Sequence, residues 1–163
     1  MDVFEFLNQH RIVYERVDHP PVYTVAEAIE KVPPIKGAET KNLFIRTRKA
    51  DRHILVVVGY EKSVDLKALA GLLGVKKLGF ASPERLKRFL GVEPGSVSLL
   101  AILNDVEGEV EVIVDQKVWE AERVKCHPLV NTSTLSISME DVKRILEITN
   151  HAVSVLDIPQ RGT

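Results

Sequence analysis

Thr40-Lys41-Asn42-Leu43-Phe44-Ile45-Arg46 is followed, across the polar stretch Arg48-Lys49-Ala50-Asp51-Arg52, by His53-Ile54-Leu55-Val56-Val57-Val58-Gly59. In the first segment Leu43 and Ile45 alternate with Asn42, Phe44 and Arg46, the pattern of a strand that turns one face to a core. The second is an almost unbroken apolar run, which fits a central strand covered on both faces. The polar residues between them are few enough for an antiparallel hairpin. A Lys-Asn pair at the start of the first strand sets an ammonium and a carboxamide on a rigid edge just beyond Gly37, within reach of a ligand. Lys41 taken alone fits a solvated strand end equally well.

Working outward, Thr24 and Glu27 form a capping-box signature for a helix that Pro33-Pro34 must stop. Asp65 caps a helix over 66–73 with Gly74 at its end, and Ser82-Pro83 starts another that Gly91 ends. Glu93-Pro94-Gly95-Ser96 is a tight turn. Strands are predicted over 77–81, 98–103, 110–115, 125–128, 134–138 and 153–156. Ser138 and Asp141 can cap the last helix. Strands outnumber helices and often follow one another directly, so the pattern favours an α+β fold. A mixed, largely antiparallel sheet flanked by helices is expected, with residues 1–163 as a single domain.

The 163 residues carry 45% apolar and 28% charged side chains, a globular balance. No apolar run approaches the roughly 20 residues that cross a bilayer, and Met1 to Glu5 is acidic where a signal peptide would be basic. A soluble, cytoplasmic protein with no membrane partner is expected. The single cysteine, Cys126, excludes an internal disulfide and a Cys-based zinc cluster. The formal net charge is −1, yet the charges are segregated. Lys36 to Arg52 holds six basic residues against two acids, and Lys76 to Gly91 holds five against one. Such blocks are either ordinary solvated surface or faces able to meet phosphate.

Neither a phosphate-binding glycine loop nor a Walker lysine is present. The five histidines share no metal-ligand spacing, so neither metal nor cofactor is expected. Cys126-His127 invites a nucleophile reading. If both residues lie in one strand, however, their side chains point to opposite faces, and Cys126 reads as a small buried hydrophobe. His127, before Pro128, is a structural residue or a catalytic one, its near-neutral pKa being the positive argument. Glu107, Glu109 and Glu111 read as a solvated edge. Gly95-Ser96-Val97-Ser98 is a plain turn, or one whose backbone N–H groups approach an anion.

Five stretches combine into a wider pattern. They are Lys41-Asn42-Leu43-Phe44, Val64-Asp65-Leu66-Lys67-Ala68-Leu69, Leu90-Gly91-Val92-Glu93-Pro94-Gly95-Ser96-Val97, Ala101-Ile102-Leu103-Asn104-Asp105 and His127-Pro128-Leu129-Val130-Asn131-Thr132-Ser133-Thr134. In this order and spacing the chain resembles the YbaK/ProX aminoacyl-tRNA deacylases, most closely the ProXp-ala (PrdX) group related to the prolyl-tRNA synthetase editing domain. The resemblance spans nearly the whole chain. It implies a partly barrel-like mixed sheet and hydrolysis of the ester joining a mischarged amino acid to the tRNA 3′ end. For that group the substrate is alanine on proline tRNA. Alternatives are another small amino acid (serine, threonine or cysteine), or a tRNA- or synthetase-binding module without catalysis.

The resemblance carries catalytic roles to Lys41, Asn42 and His127. It carries a substrate loop to Gly95, Ser96, Val97, Ser98 and Leu99, where leucine replaces the proline that ends the family's loop. The basic blocks supply Lys36, Arg46, Arg48, Lys76, Lys77, Arg85, Lys87 and Arg88 as candidate contacts to the tRNA acceptor end. Prolyl-tRNA synthetase is the implied protein partner.

Overall fold

The computed structural model describes residues 2–162; Met1, Thr163 and the side chain of Val25 lie outside the described residues. The chain runs α1 (Val3–Gln9), β1 (Tyr14–Asp18), α2 (Val25–Lys31), β2 (Thr40–Thr47), β3 (His53–Gly59), α3 (Leu66–Leu73), β4 (Leu78–Phe80) and α4 (Pro83–Leu90). A 3-10 helix (Leu99–Asn104) follows, then β5 (Val110–Asp115), α5 (Gln116–Trp119), β6 (Arg123–Cys126), β7 (Ser133–Ser138), α6 (Met139–Ile148) and β8 (Val153–Leu156). The strands form a five-stranded sheet, β4-β2-β3-β5-β8, and a three-stranded one, β1-β7-β6. Four of the six pairings are antiparallel, and only β3-β5 and β5-β8 are parallel.

The β2-β3 hairpin holds the register Thr40 to Gly59 through Arg46 to His53. From His53 to Val58 every residue of β3 is buried, because a separate core lies against each face of the sheet. Leu55, Val57, Val112 and Val114 pack with α1, α4, α6 and the smaller sheet, whereas Ile54, Val56, Val58 and Ile113 pack with α3 and Ile158. Each such fully buried side chain contributes about 1.5–3 kcal/mol. β2 is also covered twice, with Phe44 in the first core and Ile45 in the second. The one-sided burial read from its alternation is thereby corrected: the exposed-looking Phe44 position is core.

Two further expectations change. Ser98 to Leu103 is not a strand. Ser98 caps a 3-10 helix, its Oγ accepting from the Leu100 N–H at 3.3 Å, and Leu99 to Leu103 are all buried. An apolar run without alternation does not distinguish the two forms. β5 is internal rather than an edge, so Glu111 is not free but paired with Arg52 through two contacts of 2.8 Å.

The two sheets stay open, and the partial barrel closure implied by the resemblance is reduced to one joint. There Ala38 bridges Val124 in parallel, with Ala38 N–H donating to the Arg123 carbonyl and Lys125 N–H to the Ala38 carbonyl. Gly37 makes the joint possible. Its φ is +140°, and a Cβ there would lie 3.0 Å from the Val124 carbonyl carbon. The joint sets the first residues of β2 beside the end of β6.

Candidate active site

A cleft of about 350 Å³ opens where the two sheets meet. β2 contributes Thr40, Lys41 and Asn42; the end of β6 and the following turn contribute Lys125, Cys126 and His127; the Gly95 loop contributes Gly95 and Val97. Residues before and within α2 (His19, Val22, Tyr23, Thr24 and Ala28) form the opposite wall. The junction is tied by Thr40 Oγ1, which donates to the Lys125 carbonyl at 3.2 Å, and by an ion pair between Lys125 and Glu39.

Lys41 makes no ion pair among the described residues, in contrast to Lys125 on the same wall. Beside it the Asn42 carboxamide oxygen is buried without a hydrogen-bond partner, and so is Nδ1 of His127. An unsatisfied buried polar atom ordinarily costs about 1–3 kcal/mol. Two such atoms at one cleft mark a place built for a partner other than the fold itself. Burial holds the His127 imidazole below its usual pKa, with the Val97 backbone acting the other way and His19 adding to the depression. His127 therefore enters neutral chemistry near pH 7 as a hydrogen-bonding group rather than a cation. Its carbonyl accepts from the buried Ser98 Oγ at 2.7 Å, which fastens the His127-Pro128 turn to the 3-10 helix.

Cys126 and His127 both border the cleft, because β6 ends at Cys126 and strand alternation does not continue into the turn. The thiol is nonetheless no nucleophile: desolvation pushes its pKa up to about 12, leaving it protonated. Among the described residues no three His, Cys, Asp or Glu side chains are grouped as a metal site.

The loop over residues 95–99, the candidate substrate loop, divides. Gly95 and Val97 line the cleft, and no hydrogen bond within the chain engages their N–H groups among the described residues, while the Ser96 N–H is taken by the Glu93 carbonyl at 3.0 Å. Gly95 has φ +90°, which suits a residue without Cβ. Ser98 and Leu99 are buried behind the cleft, Leu99 in the core cluster that also holds Val57, Val114, Val118 and Met139. Sequence reasoning missed His19, Tyr23, Glu39, Lys125 and Thr134. In the sequence His19 is only one of five histidines without metal-ligand spacing. Its ring is fixed on both sides, Nδ1 on the Pro20 carbonyl and Nε2 on Thr134 Oγ1, each at 2.9 Å. The candidate tRNA contacts separate too. Arg46, Arg48, Lys76, Lys77, Arg85 and Arg88 belong to the opposite end of β2, Lys36 lies in the loop before Gly37, and Lys87 pairs with Glu93 at 3.5 Å.

Residues 19–145 match the model of the aminoacyl-tRNA editing domain. The chain is 36% identical to the prolyl-tRNA editing protein ProX of Acetoanaerobium sticklandii, over 93% of each chain. It is 34% identical to prolyl-tRNA synthetase associated domain-containing protein 1 of Danio rerio, over 93% of this chain and 83% of that one. Among solved structures it resembles a candidate trans-editing enzyme for prolyl tRNA synthetase, with TM-score 0.66 and 19% identity over 91% of this chain and 87% of the other.

Proposed function

The chain belongs to the aminoacyl-tRNA editing family, and from that membership we propose that the cleft at the head of β2 hydrolyses the ester between alanine and the 3′ end of proline tRNA. The enzyme class is an aminoacyl-tRNA deacylase. We read the residues flanking the family match as part of the same editing unit, acting in the cytoplasm on tRNA mischarged by prolyl-tRNA synthetase.

The observation that carries the reading is the convergence of Lys41, Asn42 and His127 on one cleft, with an unpaired ammonium and two buried polar atoms lacking partners. An aminoacyl ester is already activated relative to an amide. Its hydrolysis needs a positioned water and a stabilised oxyanion more than a covalent nucleophile. Water attacks the ester carbonyl, charge develops on the carbonyl oxygen, and the tetrahedral intermediate collapses by expelling the ribose oxygen, which takes up a proton. The free N–H groups of Gly95 and Val97 are suited to the oxyanion, and Lys41 to the ester end or the terminal phosphate as a point charge. Asn42 and neutral His127 orient the acyl group and the water by hydrogen bonds. In the resembling family the ribose hydroxyl of the terminal adenosine assists, which relieves the site of a strong protein base.

The selectivity follows from size. A synthetase pocket shaped for proline cannot sterically reject the smaller alanine, so a second, tighter site completes the discrimination. Leu99 acts on that pocket from behind, through the core that backs the Gly95 loop. A panel of proline tRNA charged with alanine, serine, threonine, cysteine or proline tests the reading. Alanine is expected to be released fastest and proline to be spared. Faster release of a hydroxyl- or thiol-bearing residue would move the assignment to that amino acid, and release of none would leave a binding module.

A further inference from the structure

Next to the cleft that holds Lys41 lies a smaller one of about 220 Å³. Successive turns of α2 border the two. Thr24 and Ala28 line the front cleft, while Ala28, Ile29 and Val32 line the rear one. Pro33 and Pro34 continue the rear lining, so most of it is apolar. Four residues line both spaces: Ala28, Glu39, Lys125 and Thr134. Ala28 ends in a methyl group, and Thr134 Oγ1 is engaged with Nε2 of His19 at 2.9 Å. The long side chains of the shared set are Glu39 and Lys125, which meet in an ion pair.

The pair stands on fixed backbone. The Lys125 N–H donates to the Ala38 carbonyl at 3.1 Å, Thr40 Oγ1 to the Lys125 carbonyl at 3.2 Å, and the Tyr60 N–H to the Glu39 carbonyl at 3.2 Å. The Lys125 side chain is 18% exposed and that of Glu39 33%, although both residue types are mostly solvated. An ion pair drawn this far from water gains little net stability over apolar side chains of similar volume, because desolvation offsets the attraction. The space that it fills explains its position better than the energy that it contributes. Glu39 is also the one carboxylate among the described residues lining the front cleft, and its engagement with Lys125 leaves Lys41 uncommitted.

We propose that the Glu39–Lys125 pair is a specificity-determining partition, which closes the acyl pocket against the apolar rear cleft and so restricts the site to a small amino acid. The inference rests on the deacylase reading of the front cleft. A branched apolar side chain directed toward α2 enters the rear cleft only by parting the pair, which strands a carboxylate and an ammonium away from bulk water. One methylene more or less in a pocket of this kind is worth about 10- to 200-fold in discrimination. A wall made of two long, mutually held side chains therefore suffices to exclude the larger acyl groups.

The test compares two double variants, with thermal unfolding as the check on folding. Glu39→Ala with Lys125→Ala opens the partition. Glu39→Gln with Lys125→Met removes the charges and keeps nearly the same bulk. Binding of non-hydrolysable 3′-alanylamino-adenosine and 3′-leucylamino-adenosine is titrated, and release of alanine and of leucine from proline tRNA is timed. In the opened variant the preference for alanine over leucine should fall at least about tenfold in both measurements. The bulk-retaining variant should keep the wild-type preference. Adding Val32→Phe to the opened variant fills the rear cleft and should bring the preference back. Where the double replacement does not fold, Lys125→Ala alone opens the same wall and is read in the same way. A wild-type preference in the folded, opened variant would overturn the proposal. So would an equal loss in the bulk-retaining variant, which would make charge rather than shape the cause. A wild-type protein that neither binds the alanyl analogue nor releases alanine would instead overturn the deacylase reading, and the partition with it.

Discussion

The two ends of β2 are built on opposite principles. At Lys41 and Asn42 the chain gathers few charges, encloses them between two sheets, and leaves polar atoms without partners. At Thr47 to Arg52 it gathers many like charges, leaves them exposed, and supports them with a hydrogen-bonded hairpin. The first arrangement suits chemistry on a small group, where a fixed donor in a partly desolvated site gains strength. The second suits long-range attraction, which tolerates mobile side chains and is weakened by salt. A single strand buried on both faces keeps the two apart and in register, so binding and chemistry are separable by substitution.

The largest expected effect lies at the enclosed end. Lys41→Ala should lower the single-turnover deacylation rate by about 10²–10³ while tRNA affinity stays near wild type; loss of affinity with an unchanged rate would merge the two roles and break the comparison. Next comes the hairpin end, where replacing Arg48, Lys49, Lys76 and Lys77 together by glutamine should weaken binding of uncharged proline tRNA about tenfold; unchanged affinity in the folded variant would remove the contrast between the two ends. The smallest is a pH effect on stability. Burial depresses the pKa of His127, so below the ordinary histidine value of 6.5 the unfolded chain binds protons that the folded chain refuses. Stability from this source is full above pH 6.5 and declines as the pH falls toward the folded value. The thermal midpoint should drop between pH 7 and pH 5, and His127→Gln should flatten part of that drop; an identical profile in the variant would show that His127 is not held neutral.

The comparison also explains what was readable beforehand. β3 was legible because six consecutive buried residues are also six consecutive apolar or aromatic ones, and the hairpin followed from the polar residues beside it. Lys41, Asn42 and His127 stood out in the sequence as candidates, but their catalytic roles came only with the family resemblance, since a lone lysine and a lone histidine carry little signal themselves. The burial of Phe44 was not legible, because the layer that covers it is assembled from separate elements, α1 before it in the chain and Phe89 of α4 well after it. Leu99 looked like a pocket residue and is a core one, because a 3-10 helix turns its side chain inward. Lys49 was counted in a basic block but not named as a contact, because its place beside Lys76 and Lys77 depends on β4 adding to the edge of β2, a pairing that local pattern does not encode.

The most direct test is a titration of the isotope-labelled protein with a non-hydrolysable 3′-alanylamino-adenosine, followed through backbone amide resonances. The shifts should fall on Lys41, Asn42, Gly95, Val97 and His127 and leave residues 47–52 and 75–77 unmoved. Shifts centred on the hairpin, or none at millimolar ligand, would contradict the assignment of the enclosed cleft to the aminoacyl ester.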